Sequence, residues 1–502
     1  GENNEFYLRR NELKKSEWYG CYYADADNLN DCTVAKLDGS DGEWMMYEPF
    51  FWSKGVNDYL RGKHYSCYSS NDPDNIPSVP EATVFTLDEI KGTLGGHLQD
   101  RKIMTGKTTL EESYSADKSY SVCRVVVKGY KRVRFPSVPG TNLVGSVFVD
   151  ADGRIVDTVV VATLGSRFEA GMYLIADIPE GAESLHFSIL NTAEFDKVVL
   201  SNSDRIEDME PDWVANDEHL CAVVGSSVVG SRLRACITGN STAANMNWLD
   251  FHYYSRQRGM QQIDALMHFR IANLFYARYG RRDSQEQCGG GQHTTARITG
   301  GTAAYGMQDT IGYEEAYAIN DKVTNSLIDG SVHQYAWYKG RDEYGKDTVT
   351  QVNNICCLGY EDIYGHKYDM MDGVDLPNDT GNLGKWRIWM PDGGTRLVQG
   401  RTSSDMWICG VAHGQHMDVV SVGTMNGSSS TYYCDKYWIS TAASRVVYRG
   451  YNYAFAFGGV SNAYASYDAS GASTSVGSRL AFRGKIVRAE SVAAYKAIIE
   501  KA

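Results

Sequence analysis

The chain has 502 residues, a length that predicts about three domains. Its 43% apolar and 22% charged residues exclude collagen, a coiled coil and wholesale disorder, and its net charge of −13 argues against a nucleic-acid-binding surface or a polybasic membrane anchor. The unusual feature is 34 tyrosines and 50 glycines against only 10 prolines, so the position of the tyrosines along the chain carries information.

Hydrophobicity and cysteine usage predict a soluble protein made in a cytosol. No apolar stretch approaches the roughly 20 residues that span a bilayer, and no signal-peptide core is present. The chain begins with Gly rather than Met, so we expect that upstream sequence is missing. The 11 cysteines are odd in number and widely spread, without a Cys-x-x-Cys pair, which is typical of buried thiols rather than of a disulfide scaffold.

The first two parts of the chain are both predicted to be rich in strands. Residues 1–115 form a β-rich region with loops and no recognisable motif, in which the prolines of residues 71–82 indicate a linker or loop. Residues 116–210 consist of short β runs separated by the turn signals Asp150–Gly153 and Pro179–Gly181. This pattern predicts a β-sandwich. It resembles the jelly-roll, carbohydrate-binding-like modules of phage tail proteins. Such a module would act either as a structural spacer or as a second sugar-binding site.

Helical periodicity appears after the acidic residues 204–213, which we interpret as a connection between domains. Apolar residues recur at intervals of three and four from Met260 to Phe275, and basic residues follow, as expected for an amphipathic helix. A second helix is predicted over 313–328, and the remainder consists of short strands punctuated by glycine.

Two C-terminal segments carry a family resemblance. LGYEDIYGHKYDMMDGV (358–374) and YRGYNYAFAF…GSRLAFRG (448–484) resemble the paired signatures of formylglycine-generating-enzyme-like domains with a C-type-lectin fold. The matching residues are Gly359, Asp362, Gly365, Arg449, Gly450, Gly477, Arg479, Leu480 and Ala481. The resemblance implies such a domain over 211–502. The predicted class is therefore α+β multidomain, with the β-rich region, the sandwich and the lectin-fold domain in that order.

The oxidases of that family need a pair of copper-binding cysteines after the second signature begins. Residues 450–484 contain no cysteine, and Cys409 and Cys434 lie upstream. We therefore expect no catalytic residue, no cofactor and no metal. The alternative is a metal oxidase of this type or a depolymerase acting on a surface glycan.

The residues in place of that copper site have a restricted composition. From Gly450 to Val476 the chain contains no Lys, Glu, Gln, Met, Leu or Trp, and it is rich in Tyr, Ser, Ala, Gly and Asn. Antibody paratopes use a similar set of residues, although a Gly/Ser-rich hairpin of random surface composition would also fit. All residue types in this stretch can arise by changing the adenines of Asn codons.

This C-terminal region resembles the variable proteins of diversity-generating retroelements, with a variable region at about 430–485. The resemblance implies ligand-binding, diversified positions at Ser440, Ala443, Ser444, Tyr451, Asn452, Tyr453, Phe455, Phe457, Asn462, Tyr464, Ser466, Tyr467, Gly471, Ser473 and Ser475. It implies framework roles for Gly359, Asp362, Gly365, Trp438, Arg449, Gly450, Arg479 and Phe482.

Members of that family in temperate phages of gut bacteria are receptor-binding proteins of tail fibres. The resemblance therefore implies a hypervariable protein of the virion tail fibre, made in the host cytoplasm and used for host adsorption. Its partners would be a bacterial surface protein or glycan, two further copies in a homotrimer, and other tail proteins through the N-terminal region. We expect no nucleic-acid binding and no membrane insertion. A structural fibre segment without a ligand is a further alternative.

Two groups of residues have the composition of metal sites. Residues 372–379, or Asp150 with Asp152, offer clustered oxygen ligands for Ca²⁺ without EF-hand spacing, so turn chemistry is favoured. His413, His416 and Asp418 lie near Cys409 and could ligate a metal, although ordinary hydrogen-bond partners are the simpler expectation.

Overall fold

A computed structural model gives the fold of the protein. It describes residues 5–9, 20–23, 43, 45–58, 60–61, 63–78, 81–92, 97–136, 145–159, 173–191, 197–235, 242–288, 331–341, 347–357, 360–365, 367–379, 382–399, 406–416, 419–421, 427–451, 458–489, 494 and 497. Contacts divide the chain into two compact units. Unit 1 comprises Gly1–Phe51, Asn216–Gly410 and Met425–Ala502, and unit 2 comprises Trp52–Ala215 and Val411–Thr424.

The described strands and helices are numbered in chain order. Strands β1–β9 are Glu5–Arg9, Gly20–Tyr23, Met45–Glu48, Phe51–Asp58, Lys63–Tyr68, Ala82–Thr86, His97–Ile103, Tyr114–Val126 and Arg132–Pro136. Strands β10–β19 are Ser146–Val149, Ile155–Val159, Tyr173–Asp177, Ser184–Leu190, Lys197–Ser201, Val214–Asn216, His219–Ala222, Ser227–Val229, Arg232–Arg234 and Gln261–Gln262. Strands β20–β27 are Ser331–Arg341, Asp347–Cys357, Tyr360–Glu361, Tyr368–Leu376, Lys385–Trp389, Thr395–Gln399, Met406–Trp407 and Val411–His413. Strands β28–β34 are Val419–Ser421, Lys436–Ile439, Arg445–Arg449, Ala463–Ala465, Val476–Gly477, Leu480–Arg483 and Ile486–Ala489. Helices α1–α5 are Leu87–Gly92, Leu110–Ser113, Trp248–Arg256, Ala265–Tyr279 and Ser284–Cys288.

The core of unit 2 lies between two antiparallel sheets. One has the strand order β11-β10-β13-β8-β7 and the other β12-β9-β14-β6. Phe187 of the first sheet and Phe135 of the second have ring centroids 5.4 Å apart and belong to one buried cluster, so apolar side chains from both sheets fill the space between them. The predicted hairpin turn at Asp150–Gly153 joins β10 to β11 and is confirmed, with Gly153 at φ +80°.

The acidic segment that follows the sandwich is part of unit 2. Glu210 is buried, and its carboxylate pairs with Arg134 at 2.8 Å and with Lys197 at 3.5 Å. Residues 204–213, which we interpret from the sequence as a connection between domains, thus lie just before the end of this part of unit 2 at Ala215, and the charge of Glu210 is neutralised inside the unit.

A hairpin from much later in the chain completes unit 2. Strands β27 and β28 pair with each other, and Asn57 of β4 exchanges two hydrogen bonds of 2.9 Å with the backbone of His413. Gly55 permits this close approach, since a Cβ atom there would lie 2.3 Å from the Gly414 carbonyl oxygen.

Unit 1 is built around an eight-stranded sheet with the order β25-β24-β23-β30-β31-β29-β26, in which β32 also pairs with β23. Helix α4 covers one face, where Phe269 meets Trp386 at 6.1 Å. The other face carries Met370 and Tyr448, which share a core with Phe251 of α3 and with β16 and β33 of the neighbouring sheet β19-β33-β16-β3.

Helix α4 confirms the predicted amphipathic helix but begins later than its periodic pattern. The Asp264 side chain caps the helix by accepting from the Met267 N–H, and the same carboxylate pairs with Arg483 of β33 at 2.6 Å. The start of the periodic pattern therefore forms β19, Gln261–Gln262, and the N-cap, Asp264, instead of the helix. The helix predicted over 313–328 lies outside the described residues.

The predicted α+β class is wrong. The structure is strand-rich, with 46% strand against 14% helix and many antiparallel sheets, and it is mostly β. The α+β expectation, with its lectin-fold domain, gave weight to two periodic helical segments, whereas many strands in the C-terminal half contain only two to five residues and leave a weak periodic signal. Among the described residues, no helix is long and apolar enough to cross a membrane.

Candidate functional site

Three neighbouring strands of the eight-stranded sheet bring aromatic residues into one row. Trp438 of β29 stands opposite Tyr464 of β31, and Tyr464 stands opposite Tyr448 of β30. Residues in register on adjacent strands share a face of the sheet. Tyr437 alternates to the other face, where it is fully buried and accepts a hydrogen bond of 2.8 Å from Trp386 Nε1.

Six rings of the described residues lie together on this face, and we call them the aromatic surface. They are Tyr368, Trp438, Tyr448, Tyr451, Tyr464 and Tyr467. Trp438 stacks on Tyr451 with centroids 5.3 Å apart and an interplanar angle of 12°. Tyr464 stacks on Tyr448 at 6.2 Å and 7°, and on Tyr467 at 5.5 Å and 29°. Such pairs contribute about 0.5–1.5 kcal/mol each beyond the burial of their area.

The aromatic surface is graded from buried to exposed. Tyr368 and Tyr448 are buried at its base, and burial is the main cause that raises the pKa of Tyr448. Trp438, Tyr451 and Tyr464 are half-buried, while Tyr467 at the rim is 52% exposed. The exposed rings therefore rest on a base that the core holds in place.

Polar and charged side chains form the rim. The Lys436 ammonium lies 5.1 Å from the Trp407 ring centroid and 5.6 Å from that of Trp438, within the range of cation–π attraction. Arg445 Nη2 donates to the Ser440 hydroxyl at 3.0 Å. Asp468 accepts hydrogen bonds from the side chain and the backbone N–H of Ser470, and these bonds lower the pKa of its carboxyl.

A turn of four residues, 459–462, holds the start of β31 against the core, and we call it the anchored turn. Asp435 accepts from the backbone N–H groups of Gly459 at 2.7 Å and Ser461 at 2.9 Å. The Ser284 hydroxyl accepts from the Val460 N–H at 2.9 Å, and Arg449 donates to the Val460 carbonyl at 3.2 Å. Tyr464 therefore follows directly after backbone that buried framework groups fix.

Close packing constrains two residues at this turn, Asp435 and Gly459. Asp435 is buried, and burial raises the pKa of its carboxyl to about 7 although the two backbone hydrogen bonds oppose the shift. A Cβ atom at Gly459 would lie 2.1 Å from Ser284 Oγ and 2.6 Å from Asp435 Oδ1. No side chain larger than that of glycine fits at this position without displacing the carboxylate.

The two signature segments identified in the sequence meet beside the aromatic surface. The Gly365 N–H donates to the Gly450 carbonyl at 2.7 Å. Gly450 has φ +85°, and a Cβ atom there would lie 2.5 Å from the Ile363 carbonyl oxygen. The chain then enters Tyr451 at φ +55°, an unusual conformation for an aromatic residue, which leads its ring onto Trp438.

Arg479 joins this framework to its surroundings from a fully buried position. Its guanidinium donates to Asp369 at 2.9 Å and to the carbonyls of Val223 and Asp362, each at 2.8 Å. Burial raises the pKa of Asp369, and the charge and hydrogen bond of Arg479 oppose that shift. A buried charge satisfied in this way fixes several segments at once.

The structure brings together several of the predicted ligand-binding positions and separates others. Tyr451, Tyr464 and Tyr467 belong to the aromatic surface. Half-buried or exposed positions elsewhere in the segment are Ser440, Ala443, Ser444, Ser466, Gly471, Ser473 and Ser475. Asn462 is fully buried and donates to the Lys436 carbonyl at 2.7 Å, so its side chain cannot reach a ligand. Asn452, Tyr453, Phe455 and Phe457 lie outside the described residues.

The predicted framework positions are largely interior. Asp362, Gly365, Arg449, Gly450, Arg479 and Phe482 are buried. Trp438 is half-buried and forms part of the aromatic surface itself, so it contributes a ring as well as support. Gly359 lies outside the described residues.

The sequence prediction missed several residues of the site. Tyr448 and Tyr368 form the base, and Lys436 and Trp407 form part of the rim. The alternation of Val446 and Tyr448 in β30 was the available signal for a strand face, but strand pairing had to be known before Tyr448 could be assigned to the face of Tyr464.

The candidate metal ligands have other partners where the structure describes them. Asp150 accepts from the backbone N–H groups of Asp152 and Arg154, which is turn chemistry. His413 is buried, and its Nδ1 contacts the Ser66 hydroxyl. Asp418 lies outside the described residues, and within the described part of the chain no group of three His, Cys, Asp or Glu side chains is arranged to hold a metal ion.

A scan of the chain against protein-family models finds no match, and a search of curated proteins also finds none.

Proposed function

We propose that this chain is a receptor-binding protein of a phage tail fibre, or a related adhesin, and that it attaches to a bacterial surface protein or glycan through the aromatic surface. The observation that carries this proposal is the row Trp438–Tyr464–Tyr448 with Tyr451 and Tyr467 stacked on it. Exposed aromatic rings on a rigid base, with a rim of serine and a few charges, are typical of an interaction site.

The division between base and rim supports a surface that can vary. The anchored turn and the Arg479 network are buried, so substitutions at an exposed position such as Ser444 change few packing contacts. Surface changes of this kind usually alter the free energy of unfolding by no more than about 0.5 kcal/mol. Binding can therefore change while the fold is kept.

The proposed origin of this variability is a diversity-generating retroelement, and the flanking DNA tests it. We expect a near-copy of the codons for about residues 430–485, next to a reverse transcriptase gene and differing only at adenines. The differences should fall on exposed positions such as Ser444 and Tyr467 and should spare Asp435, Arg449 and Gly459. Differences concentrated on those buried residues would contradict the proposal.

The remaining parts of the proposal follow from the same family resemblance. The protein would be a binding protein without catalytic residues or a cofactor, located in the virion tail fibre. It would assemble as a homotrimer and contact other tail proteins through its N-terminal region. Sedimentation of the purified protein at the mass of a trimer is the expected result, and sedimentation as a monomer would contradict the oligomeric state.

The experiment that tests the function compares the loss of rings inside the aromatic surface with the loss of a ring outside it. The variant Tyr464→Ala/Tyr467→Ala removes two rings of the aromatic surface, and Trp389→Ala removes a ring that is 50% exposed on β24 and outside the aromatic surface. We expect fluorescently labelled wild-type protein and Trp389→Ala to bind cells from a panel of gut bacterial strains. The double variant should lose binding by about tenfold or more, because central aromatic residues dominate interface energetics.

Folding is checked by circular dichroism and thermal melting of all three proteins. Equal binding by the double variant and the wild-type protein would contradict the proposed site. Absence of binding by the wild-type protein to every strain would contradict the proposed function.

A further inference from the structure

Helix α3 exposes two large apolar side chains. Leu249 is 63% exposed and Tyr253 is 61% exposed, and their spacing of four residues places them on one face of the helix. We call them the α3 pair. The helix is well anchored elsewhere, since Phe251 is buried and Asn247 forms a capping box with Asp250. The exposure of the pair is therefore a property of an ordered helix.

Backbone hydrogen bonds connect this helix to the rim of the aromatic surface. The Trp248 N–H donates to the Ala469 carbonyl at 3.1 Å, and the Asn245 N–H donates to the Ser473 carbonyl at 2.9 Å. The segment that receives them follows Tyr467 directly, and its residues 468–470 are exposed. The start of the helix that carries the α3 pair is thus bonded to the segment that follows the aromatic surface, although the pair itself lies outside residues 430–485.

Neighbouring rings of the aromatic surface stack on one another, so their faces are partly covered. Tyr464 has Tyr448 and Tyr467 stacked on it, and Trp438 has Tyr451 stacked on it at 12° with the Lys436 ammonium 5.6 Å from its centroid. A sugar binds an aromatic residue by laying its C–H groups flat on an open ring face, which is the electron-rich part of the ring. Stacking on one another leaves these rings less open face for a sugar than unstacked rings would have.

The charges near the surface are engaged within the protein. Arg445 donates to the carbonyl of Ser440 at 3.1 Å and to its hydroxyl at 3.0 Å, Asp468 accepts from Ser470, and Lys436 lies between two Trp rings. Charge complementarity therefore favours an uncharged, apolar occupant. Leu249 has neither a ring nor a hydrogen-bonding side chain, so it contributes to binding only by burying apolar area, as in the centre of protein–protein interfaces.

We propose that the aromatic surface and the α3 pair form one binding surface, and that its occupant is a protein segment with apolar and aromatic side chains. This inference rests on the proposed function and names the class of its ligand. The α3 pair is the constant part of the surface, which contributes the same apolar contact whichever side chains occupy the variable positions.

The test uses two defined probes with the full-length protein. One probe is a display library of random peptides, and the other is an array of bacterial surface glycans. The variant Leu249→Ala/Tyr253→Ala removes the α3 pair, and Leu397→Ala/Trp389→Ala removes two comparably exposed apolar side chains elsewhere in unit 1. Thermal melting establishes that both variants fold.

The wild-type protein should enrich peptides rich in apolar and aromatic residues and should leave the glycans unbound. Removal of the α3 pair should weaken binding of an enriched peptide by about tenfold, whereas the control variant should bind like the wild-type protein. Binding to glycans alone would overturn this inference and leave the proposed function standing. Peptide binding that is unaffected by loss of the α3 pair would overturn its role, and binding of neither probe would count against the inference and the proposed function together.

Discussion

His268 on α4 is a buried polar residue. It has no exposed surface, and neither ring nitrogen has a hydrogen-bond partner among the residues that the structure describes. A buried polar group without a partner carries a desolvation cost. We expect His268→Leu to raise the free energy of unfolding by about 1 kcal/mol, measured by urea denaturation at neutral pH.

The pH dependence gives this prediction a second readout. Burial lowers the pKa of His268 well below 6.5, so below pH 6.5 the unfolded chain takes up a proton that the folded chain does not. The wild-type protein should therefore lose stability relative to His268→Leu as the pH falls below 6.5. His252→Leu is the control, since the His252 ring stacks on Trp248 and its loss should not stabilise. A lower stability of His268→Leu would show that the ring has a role not visible in its contacts.

Single residues of the site show what sequence could and could not predict. Tyr451, Tyr464 and Tyr467 were identified from the composition of their segment, and they lie on one surface. Asn462 shares that composition but is buried, because the anchored turn directs its side chain to the Lys436 carbonyl. Composition identifies a segment. Which of its side chains are buried depends on partners such as Asp435 and Arg449, which come close to the segment only when the sheet forms.

The anchored turn is the element on which the aromatic surface depends, and its contribution to stability should depend on pH through the Asp435 carboxyl. Burial raises the pKa of Asp435 from 3.8 to about 7 in the folded protein, so between these values the folded state holds a proton that the unfolded state releases. The stability contributed by this group is therefore present below pH 4 and is lost as the pH rises through about 7. Urea unfolding of wild type and Asp435→Asn from pH 4 to pH 8 should show a smaller loss of stability in the variant.

Glu43 provides the internal comparison for this experiment. Burial raises the pKa of its carboxyl to about 7 as well, so the Asp435→Asn variant should keep the part of the pH slope that Glu43 contributes. Identical slopes in wild type and variant would contradict the assignment of the titration to the anchored turn.

At the scale of helices and strands, predictability followed local signals. Helix α4 was predicted because its apolar residues recur over fifteen residues, and the turn at Asp150–Gly153 was predicted from its own chemistry. Helix α3 was missed although its capping box of Asn247 and Asp250 is visible in the sequence. Strand partners such as β29 with β31 pair in parallel through a connection of more than twenty residues, and nothing local specifies that pairing.

At the scale of the whole molecule, the two units have separate cores. Asn57 fixes the late hairpin within unit 2, and Asp369 neutralises Arg479 within unit 1. We expect calorimetry to show two transitions. Asn57→Ala should lower the temperature of the unit 2 transition. It should reduce the free energy of unfolding of that unit by about 2 kcal/mol, because the backbone of His413 loses its partner. Asp369→Asn should lower the temperature of the unit 1 transition. It should reduce the free energy of unfolding of that unit by about 3–5 kcal/mol, because it leaves the buried charge of Arg479 unpaired.

The two variants serve as controls for each other. Equal shifts of both transitions by either variant, or a single transition in the wild-type protein, would contradict independent cores. The division could not be read from sequence, because Val411–Thr424 belongs with Trp52–Ala215 although about two hundred residues lie between them, and a domain boundary placed along the chain cannot describe an inserted hairpin.

The most direct test of the central claim, that the aromatic surface binds the ligand, blocks this surface after folding. Tyr467→Cys and Trp389→Cys place a reactive thiol at two exposed positions, and a maleimide-linked polyethylene glycol is then coupled to the folded proteins. Binding to a bacterial strain recognised by the wild-type protein is measured before and after coupling. Our account predicts that coupling at position 467 abolishes binding and that coupling at position 389 leaves it unchanged. Full binding after coupling at position 467 would contradict the account.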